Sequence, residues 1–162
     1  MTTAGDAYAK LKPPATPPAE LCTCAKEPPI KLIPGPGFNP IACMECGLEV
    51  SPESLKLSAE LAEAVAQWTA PAEGIYRLWL SGGEYETWAG RQFGDLGSPI
   101  NVDGRRLAGE LNAVRRCYFW FYGDEAGATR CPGCHTALTA MSSASGPLAF
   151  CDECSLIGQG QA

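Results

Sequence analysis

The chain has little histidine, a deficit of positive charge and no long apolar run. Its 162 residues include one His, and 12 Lys+Arg stand against 18 Asp+Glu, for a formal net charge of −6. A single histidine leaves little scope for the commonest general base. A negative total charge disfavours binding to nucleic acid through bulk electrostatics. The lack of a signal-peptide h-region and of a bilayer-spanning stretch predicts a cytoplasmic protein with no membrane contact.

No group of residues has the pattern of a catalytic site. Gly82-Gly83 is not followed by the Lys-Ser/Thr pair of a phosphate-binding loop. Glu84 and Glu86 flank Tyr85 in a way typical of a solvated helix face. We therefore predict that the protein is not an enzyme. The enzymatic alternative rests on a cleft beside Cys117, although a lone thiol at the start of an aromatic strand is more typical of a core residue.

Cysteine, in contrast, is abundant, and its spacing is informative. Cys131-Pro-Gly-Cys134 and Cys151-Asp-Glu-Cys154 are separated by sixteen residues, which is the spacing of a zinc ribbon. Two residues between cysteines allow both thiolates to reach one tetrahedral ion. In a reducing compartment such pairs indicate a metal more often than disulfides. We expect a structural four-cysteine Zn²⁺ site here.

A second group of four cysteines lies near the N-terminus. Cys22-Thr-Cys24 is followed after eighteen residues by Cys43-Met-Glu-Cys46-Gly47. The first pair is tighter than the usual C-x₂₋₄-C ligand spacing. Gly47 suits the turn after the second pair because glycine tolerates positive φ. The sequence thus predicts a second four-cysteine site and two Zn²⁺ ions per chain.

Two other interpretations of the C-terminal cysteines are weaker. The run from Cys131 to His135 matches the attachment signature of c-type haem, but that chemistry needs export and leaves Cys151 and Cys154 unexplained. Iron is an alternative metal for a ribbon of thiolates. We predict that His135 is a residue of the turn and not a fifth ligand, because structural zinc is closed at four ligands.

The region between the two cysteine groups has both helical and strand patterns. These patterns predict helices over 52–69, 84–93 and 101–116, and strands over 75–80 and 117–122, with a helical turn as the alternative for 75–80. Pro71 and Gly74 end the first helical pattern, and the two strands are expected to pair in the core. Tyr85, Trp88 and Ala89 are expected to face inward. Short strands near 137–139 and 148–150 would complete the C-terminal ribbon.

These elements predict an α+β fold. A small helical and aromatic central core with two strands is flanked by N-terminal and C-terminal zinc-ribbon-like β modules. The predicted units are a disordered Pro-rich tail over 1–20, a zinc module over 21–51, the core over 52–126, a zinc ribbon over 127–156 and a flexible tail over 157–162.

Four features of the sequence occur together: the segment from Tyr76 to Trp88 (YRLWLSGGEYETW), Asn101 before a helix, the run CYFWF from Cys117, and the terminal CPGC and CDEC. With these features the chain resembles a bacterial family of uncharacterised proteins. Members of that family are described as zinc-ribbon-containing candidate nucleic-acid binders, and the resemblance covers about residues 75–156. It implies that Cys131, Cys134, Cys151 and Cys154 are zinc ligands. A looser likeness links the chain to myxobacterial immunity proteins with a double CxxCG motif. Here Cys43 to Gly47 fits that motif, and His135 replaces the glycine of the second.

The favoured functional interpretation is recognition of another, unidentified protein by a rigid zinc-stabilised surface. The alternative is a nucleic-acid-binding regulator, whose candidate contacts are Arg105, Arg106, Arg115, Arg116 and Arg130. Lesser alternatives are a toxin-immunity protein and the enzyme with a site near Cys117.

Overall fold

The computed structural model describes residues 15–123 and 127–161, so most of the predicted tail over 1–20 lies outside the described residues. The helices in the described part are α1 (Pro52–Leu55), α2 (Ala59–Leu80), α3 (Glu86–Gly94) and α4 (Pro99–Leu111). The strands are β1 (Ile30–Leu32), β2 (Ile41–Cys43), β3 (Cys117–Trp120), β4 (Thr139–Ser143), β5 (Gly146–Cys151) and β6 (Leu156–Gln159). The predicted α+β class is confirmed, with a group of four cysteines near each terminus.

All six strands form one mixed sheet in the order β2-β1-β3-β6-β5-β4. Strand β3 is central and pairs in parallel with both β1 and β6. The two outer pairs, β1 with β2 and β5 with β4, are antiparallel. The strands that follow the first cysteines and the strands of the C-terminal ribbon therefore belong to the same sheet.

Both faces of β3 are buried. Cys117 and Phe119 belong to a core shared with the helices, whereas Tyr118 and Trp120 face the opposite side of the sheet. The residues buried on that second side form a separate cluster of Met44, Tyr118, Trp120, Leu148 and Ile157. Burial on both faces explains why the predicted strand at 117–122, observed over 117–120, is a continuous apolar run without alternation.

The predicted strand over 75–80 is wrong, because helix α2 continues through Pro71 to Leu80. Proline inside a helix removes one hydrogen bond and crowds the preceding turn. The apolar stripe nevertheless continues past it, since Val65, Trp68 and Ala72 are buried and Trp79 packs on the same side. The Trp68 indole also donates to the Ile100 carbonyl at 2.8 Å. Tertiary packing of the stripe therefore outweighs the local effect of proline.

The first predicted helix over 52–69 is interrupted where Lys56 adopts a left-handed conformation with φ of 53°. Ser58 then caps α2 by accepting a hydrogen bond from the Leu61 amide at 3.1 Å. The third predicted helix, over 101–116, ends at Leu111, and Val114 is exposed.

The prediction for the inner face of α3 is right for Ala89 and wrong for two aromatic residues. Tyr85 is 57% exposed and Trp88 is 44% exposed, whereas Ala89 and Phe93 are fully buried. Phe93 takes the inward position because it packs against Trp79 and Tyr122. The aromatic residues at the start of α3 therefore contribute to the surface.

The C-terminal strands are longer than predicted. β4 and β5 pair from Thr139 opposite Phe150 to Ser143 opposite Gly146. Residues 157–159, assigned to a flexible tail, belong to β6, and Ile157 is fully buried. The strand forms because its backbone pairs with both β3 and β5.

The close packing of α4 on the sheet depends on Gly104. A Cβ atom at this position would lie 2.3 Å from Phe119 and 2.9 Å from Trp68. We expect Gly104→Ala to lower the free energy of unfolding by at least about 1–3 kcal/mol, because the core would be overpacked. Chemical denaturation monitored by tryptophan fluorescence measures the change.

The matched control is Gly109→Ala on the same helix, where an added Cβ meets no atom within 4 Å. This change should raise stability by about 0.5–1 kcal/mol through helix propensity. Equal effects of the two substitutions would contradict the packing argument.

Candidate metal centres

The structure brings the eight paired cysteines together in two groups. Within each group the four Sγ atoms all lie within 4.8 Å of one another. The N-terminal group comprises Cys22, Cys24, Cys43 and Cys46, and the C-terminal group comprises Cys131, Cys134, Cys151 and Cys154. The grouping is the one that the sequence spacing predicts, with no exchange of cysteines between the two ends.

The sulfur positions fit a tetrahedral metal ion. Zinc–sulfur bonds of about 2.3 Å place the sulfur atoms of a tetrahedral site about 3.8 Å apart. The Sγ atoms of Cys134 and Cys151 are 3.6 Å apart. Four soft thiolate donors are typical of zinc or iron. Each group can therefore hold one such ion with its ligand set complete.

The same type of backbone turn occurs in each of the two groups. In the N-terminal group the Cys43 amide donates to the Leu48 carbonyl at 2.8 Å, and the Gly47 amide donates to the Cys43 carbonyl at 3.0 Å. The C-terminal group repeats both bonds, at 2.8 Å between Cys131 and Thr136 and at 2.9 Å between His135 and Cys131. The repeated turn places the two thiols of Cys43 and Cys46, and those of Cys131 and Cys134, close together.

Each Cys-x₂-Cys pair ends in a residue with a left-handed conformation. The φ angles are 77° at Gly47, 62° at His135 and 51° at Ser155. Glycine meets this requirement without strain, whereas histidine and serine adopt the conformation less readily. His135 is exposed and is not part of the sulfur cluster, so its position is that of a turn residue.

Hydrogen bonds to sulfur prepare the C-terminal group for metal binding. The amides of Gly133 and Cys154 donate to the Sγ atoms of Cys131 and Cys151 at 3.4 Å and 3.5 Å. The Thr136 hydroxyl lies 3.0 Å from Cys134 Sγ, and this hydrogen bond lowers the pKa of Cys134 to about 7. The cysteine spacing did not point to Thr136, although a hydroxyl residue two positions after a ligand pair is a usable signal.

The N-terminal group depends on Glu49, a second residue that our sequence analysis missed. The Glu49 carbonyl accepts from the Cys22 amide at 2.7 Å, which holds the Cys22–Cys24 segment beside the turn. The Glu49 carboxylate accepts from the Thr16 hydroxyl at 2.6 Å and from the Phe38 amide at 2.7 Å. The Glu49 side chain thus anchors the segments at Thr16 and Phe38 around the tight Cys-x-Cys pair.

The four N-terminal thiols lie close enough together to change the pKa of one of them. A hydrogen bond with Cys22, aided by one with Cys46, raises the pKa of Cys24 to about 12. Four thiolates so close together would repel one another strongly in the absence of a cation. A divalent ion at their centre reverses this effect, because it favours the deprotonated form of each ligand.

Two contacts join the metal groups to the rest of the fold. The turn between β4 and β5 reaches the N-terminal group, where the Ala144 amide donates to the Glu45 carbonyl at 2.9 Å. Asp152, between two ligands of the C-terminal group, accepts hydrogen bonds from Tyr118 and, at 3.0 Å, from Arg116. The Arg116 guanidinium also lies 4.5 Å from the centre of the Tyr118 ring.

The arginines proposed for nucleic-acid binding are largely engaged within the protein. Arg106 forms ion pairs with Asp103 and Glu110. Arg115 pairs with Glu27 at 3.1 Å, and Arg116 pairs with Asp152. Arg130 donates to the His135 carbonyl, and Arg105 has no ion pair among the described residues. Most of the positive charge is therefore compensated locally.

Cys117 lies apart from both groups and is fully buried at the start of β3. Burial raises the pKa of its thiol to about 12. A nucleophilic cysteine needs solvent access and a lowered pKa. The environment of Cys117 is therefore that of a core residue.

Comparisons of the chain with protein-family profiles, curated proteins and solved structures find no match. No helix within residues 15–123 and 127–161 combines the length and the apolar character needed to cross a bilayer.

The contact between the N-terminal metal group and the turn between β4 and β5 can be tested at Gly47. A Cβ added there would lie 2.7 Å from the Cβ of Ser145, and the φ of 77° disfavours any other residue. Gly47→Ala should therefore lower the free energy of unfolding by about 2–4 kcal/mol, as the sum of conformational strain and overpacking. Equilibrium denaturation of the metal-loaded protein measures this change.

The control is the same substitution in a Ser145→Gly background, which removes the steric part. The cost of Gly47→Ala should then fall to about 1–2 kcal/mol, from the φ strain alone. An unchanged cost would show that the turn between β4 and β5 does not press on the N-terminal group.

Proposed function

We propose that the protein is a non-enzymatic recognition protein that binds one structural Zn²⁺ ion in each four-cysteine group. The main support is that each group supplies four thiols to one point. A complete set of four ligands leaves no open position for substrate or water, which catalytic zinc requires. Zinc is the metal of choice because it prefers this sulfur-rich tetrahedral geometry.

The position of the two groups supports a structural role. β2 contains Cys43 and β5 contains Cys151, so a metal bound at either group constrains one strand of the sheet directly. Both groups are linked through β1 and β6 to β3, the strand on which α4 packs. Binding of structural zinc contributes directly to folding free energy. The two ions would thus hold the surface of the helical layer rigid.

We further propose that this surface binds another protein at the corner between α2 and α3. Four large apolar side chains are exposed there, namely Leu78, Leu80, Tyr85 and Trp88, which we call the corner surface. Leu80 is 65% exposed, and the two aromatic residues lie one helical turn apart. Aromatic residues are enriched at protein interfaces and supply much of the binding energy.

The nucleic-acid alternative has less support. The chain is acidic overall, and Arg106, Arg115 and Arg116 each pair with a carboxylate. Phosphate binding needs arginines that are free to replace counterions. Among the candidate arginines, Arg105 and Arg130 pair with no carboxylate in the described part of the chain, and Arg130 already donates to the His135 carbonyl. Protein recognition is therefore the stronger interpretation.

Metal content tests the first part of the proposal. Elemental analysis of protein purified without added metal should find two Zn²⁺ per chain. Cys43→Ser and Cys131→Ser should each lose one ion and unfold readily, since structural zinc contributes on the order of 10 kcal/mol of apparent binding free energy. The matched control is Cys117→Ser, which should keep both ions. Iron in place of zinc, or a single ion per chain, would contradict the assignment.

Capture of a partner from the source cell tests the second part. We expect a defined polypeptide whose binding survives nuclease treatment and is lost when a chelator removes zinc. Leu80→Ser with Trp88→Ser should weaken this binding by at least about thirtyfold, as hot-spot residues do. Val114→Ser, which changes an exposed apolar residue elsewhere, is the control.

The nucleic-acid alternative predicts a different result in the same experiment. A salt-sensitive complex that needs Arg105 and Arg106 and disappears on nuclease treatment would favour the nucleic-acid alternative. Replacement of these two residues by alanine should leave the protein complex intact under our proposal.

A further inference from the structure

The two edges of the sheet meet at the N-terminal four-cysteine group. β2 lies at one edge and leads into the turn over residues 43–47, which we call the N-terminal turn. β4 lies at the other edge, and the turn that joins it to β5 contacts the N-terminal turn. The contact is a hydrogen bond of 2.9 Å from the Ala144 amide to the Glu45 carbonyl. The two edges are therefore joined by a residue that lies between the ligands Cys43 and Cys46 in the sequence.

Met44 extends the N-terminal turn into the apolar cluster on the second side of the sheet. Its side chain is 2% exposed, and its backbone amide donates to the Pro29 carbonyl at 3.0 Å. We call the five residues of this buried cluster the Met44 cluster, which comprises Met44, Tyr118, Trp120, Leu148 and Ile157. One side chain of the cluster is therefore positioned by the same turn that carries two cysteine ligands.

The Met44 cluster contains a buried polar group that the helical side of the sheet does not match. The Trp120 indole Nε1 is buried and has no hydrogen-bond acceptor among the described residues. On the helical side, the buried Trp68 indole donates to the Ile100 carbonyl at 2.8 Å. A buried donor without an acceptor costs free energy that contact with water would recover. The packing around Trp120 must therefore hold this cluster closed against that cost.

The C-terminal group is the better supported of the two metal groups. Two backbone amides and the Thr136 hydroxyl form hydrogen bonds with its sulfur atoms, at distances of 3.4 Å, 3.5 Å and 3.0 Å. Within residues 15–123 and 127–161, amide and hydroxyl groups bond to metal-ligand sulfurs in the C-terminal group alone. Removal of such outer contacts typically lowers metal affinity by about 10–100-fold. The N-terminal group should therefore bind its ion more weakly.

The ligands of the N-terminal group are also more open to solvent. Of its four cysteines Cys43 alone is buried, whereas Cys131 and Cys151 are both buried in the C-terminal group. Cys22 and Cys24 lie outside the strands of the sheet, whereas Cys151 is the last residue of β5. A competing ligand can thus reach the N-terminal sulfur atoms more easily. The N-terminal ion is therefore the one expected to leave first.

We propose that the N-terminal turn holds the Met44 cluster closed only while a metal ion is bound at the N-terminal group. This proposal rests on the proposed function, since it assumes one Zn²⁺ in each group. When zinc is scarce, the N-terminal ion leaves first and the turn loses its fixed shape. Met44 and the Glu45 contact are then released, and the Trp120 indole becomes accessible to water. The C-terminal ion and the helical side of the sheet stay in place, so the zinc supply controls the exposure of an apolar sheet face.

Stepwise removal of zinc from the full-length protein by EDTA tests the proposal. Native mass spectrometry should show a species with one ion before the metal-free protein appears, because the N-terminal ion should be bound at least about tenfold more weakly. Iodoacetamide should alkylate the N-terminal ligands of this species and leave the C-terminal ligands protected. Hydrogen exchange of the Trp120 indole N–H, followed by NMR, should become at least about tenfold faster, whereas exchange of the Trp68 indole N–H should change by less than about twofold.

Met44→Ala tests whether the turn acts through this side chain. The variant should keep both ions, and its Trp120 indole should exchange rapidly even when zinc is bound. Removal of the N-terminal ion should then change the exchange rate by less than about twofold. The matched control is Met141→Ala, which removes a methionine of β4 that packs against the same cluster. This control should keep the zinc dependence of Trp120, and slow exchange at Trp68 checks that each variant is folded.

Three results would overturn the proposal and leave the proposed function standing. These are loss of both ions in one step, loss of the C-terminal ion first, and a one-ion species in which Trp120 exchange is unchanged. Failure of the proposed function is distinguishable, because the purified protein would then hold fewer than two ions before any EDTA is added.

Discussion

The parallel pairing of β3 with β1 on one side and β6 on the other is the contact on which the rest of the protein depends. β1 leads from the first cysteine pair to β2 and Cys43, and β6 follows directly after Cys154. Strands far apart in the sequence are thereby joined in one sheet. Neither four-cysteine group is an independent appendage, because each supplies strands that β3 needs for its backbone hydrogen bonds.

This arrangement explains why residues outside the ligand sets matter to the metal groups. Glu49 and Thr136 hold ligand segments or ligand sulfurs through hydrogen bonds. Asp152 fixes the C-terminal group to the start of β3 through Tyr118 and Arg116. Such outer contacts orient ligands and tune metal binding. This network also pairs Arg116 with a carboxylate, so its charge is compensated within the protein and not available to a nucleic acid.

The helical layer has the opposite character, since it leaves apolar surface uncovered. α2 buries one stripe against α3, α4 and the core, and its remaining faces include exposed Ala62, Ala66 and Ala70 and also Leu80. Under the proposed function, two metal ions add to the stability of the fold, so that a thin helical layer suffices without a large apolar core. The exposed faces are then available for recognition.

Local sequence determined the cysteine groups, the α+β class and the buried strand at β3. Cysteine spacing limits which thiols can meet at one ion, and a continuous apolar run favours a strand buried on both faces. Tertiary structure decided that residues 75–80 are helical. The packing of the α2 apolar stripe against Phe93 and Tyr122 outweighs the helix-breaking effect of Pro71. The exposure of Tyr85 and Trp88 and the burial of Ile157 were decided in the same way. Helical and strand patterns show that a residue can be buried, but only the packing of distant elements determines whether a partner covers it.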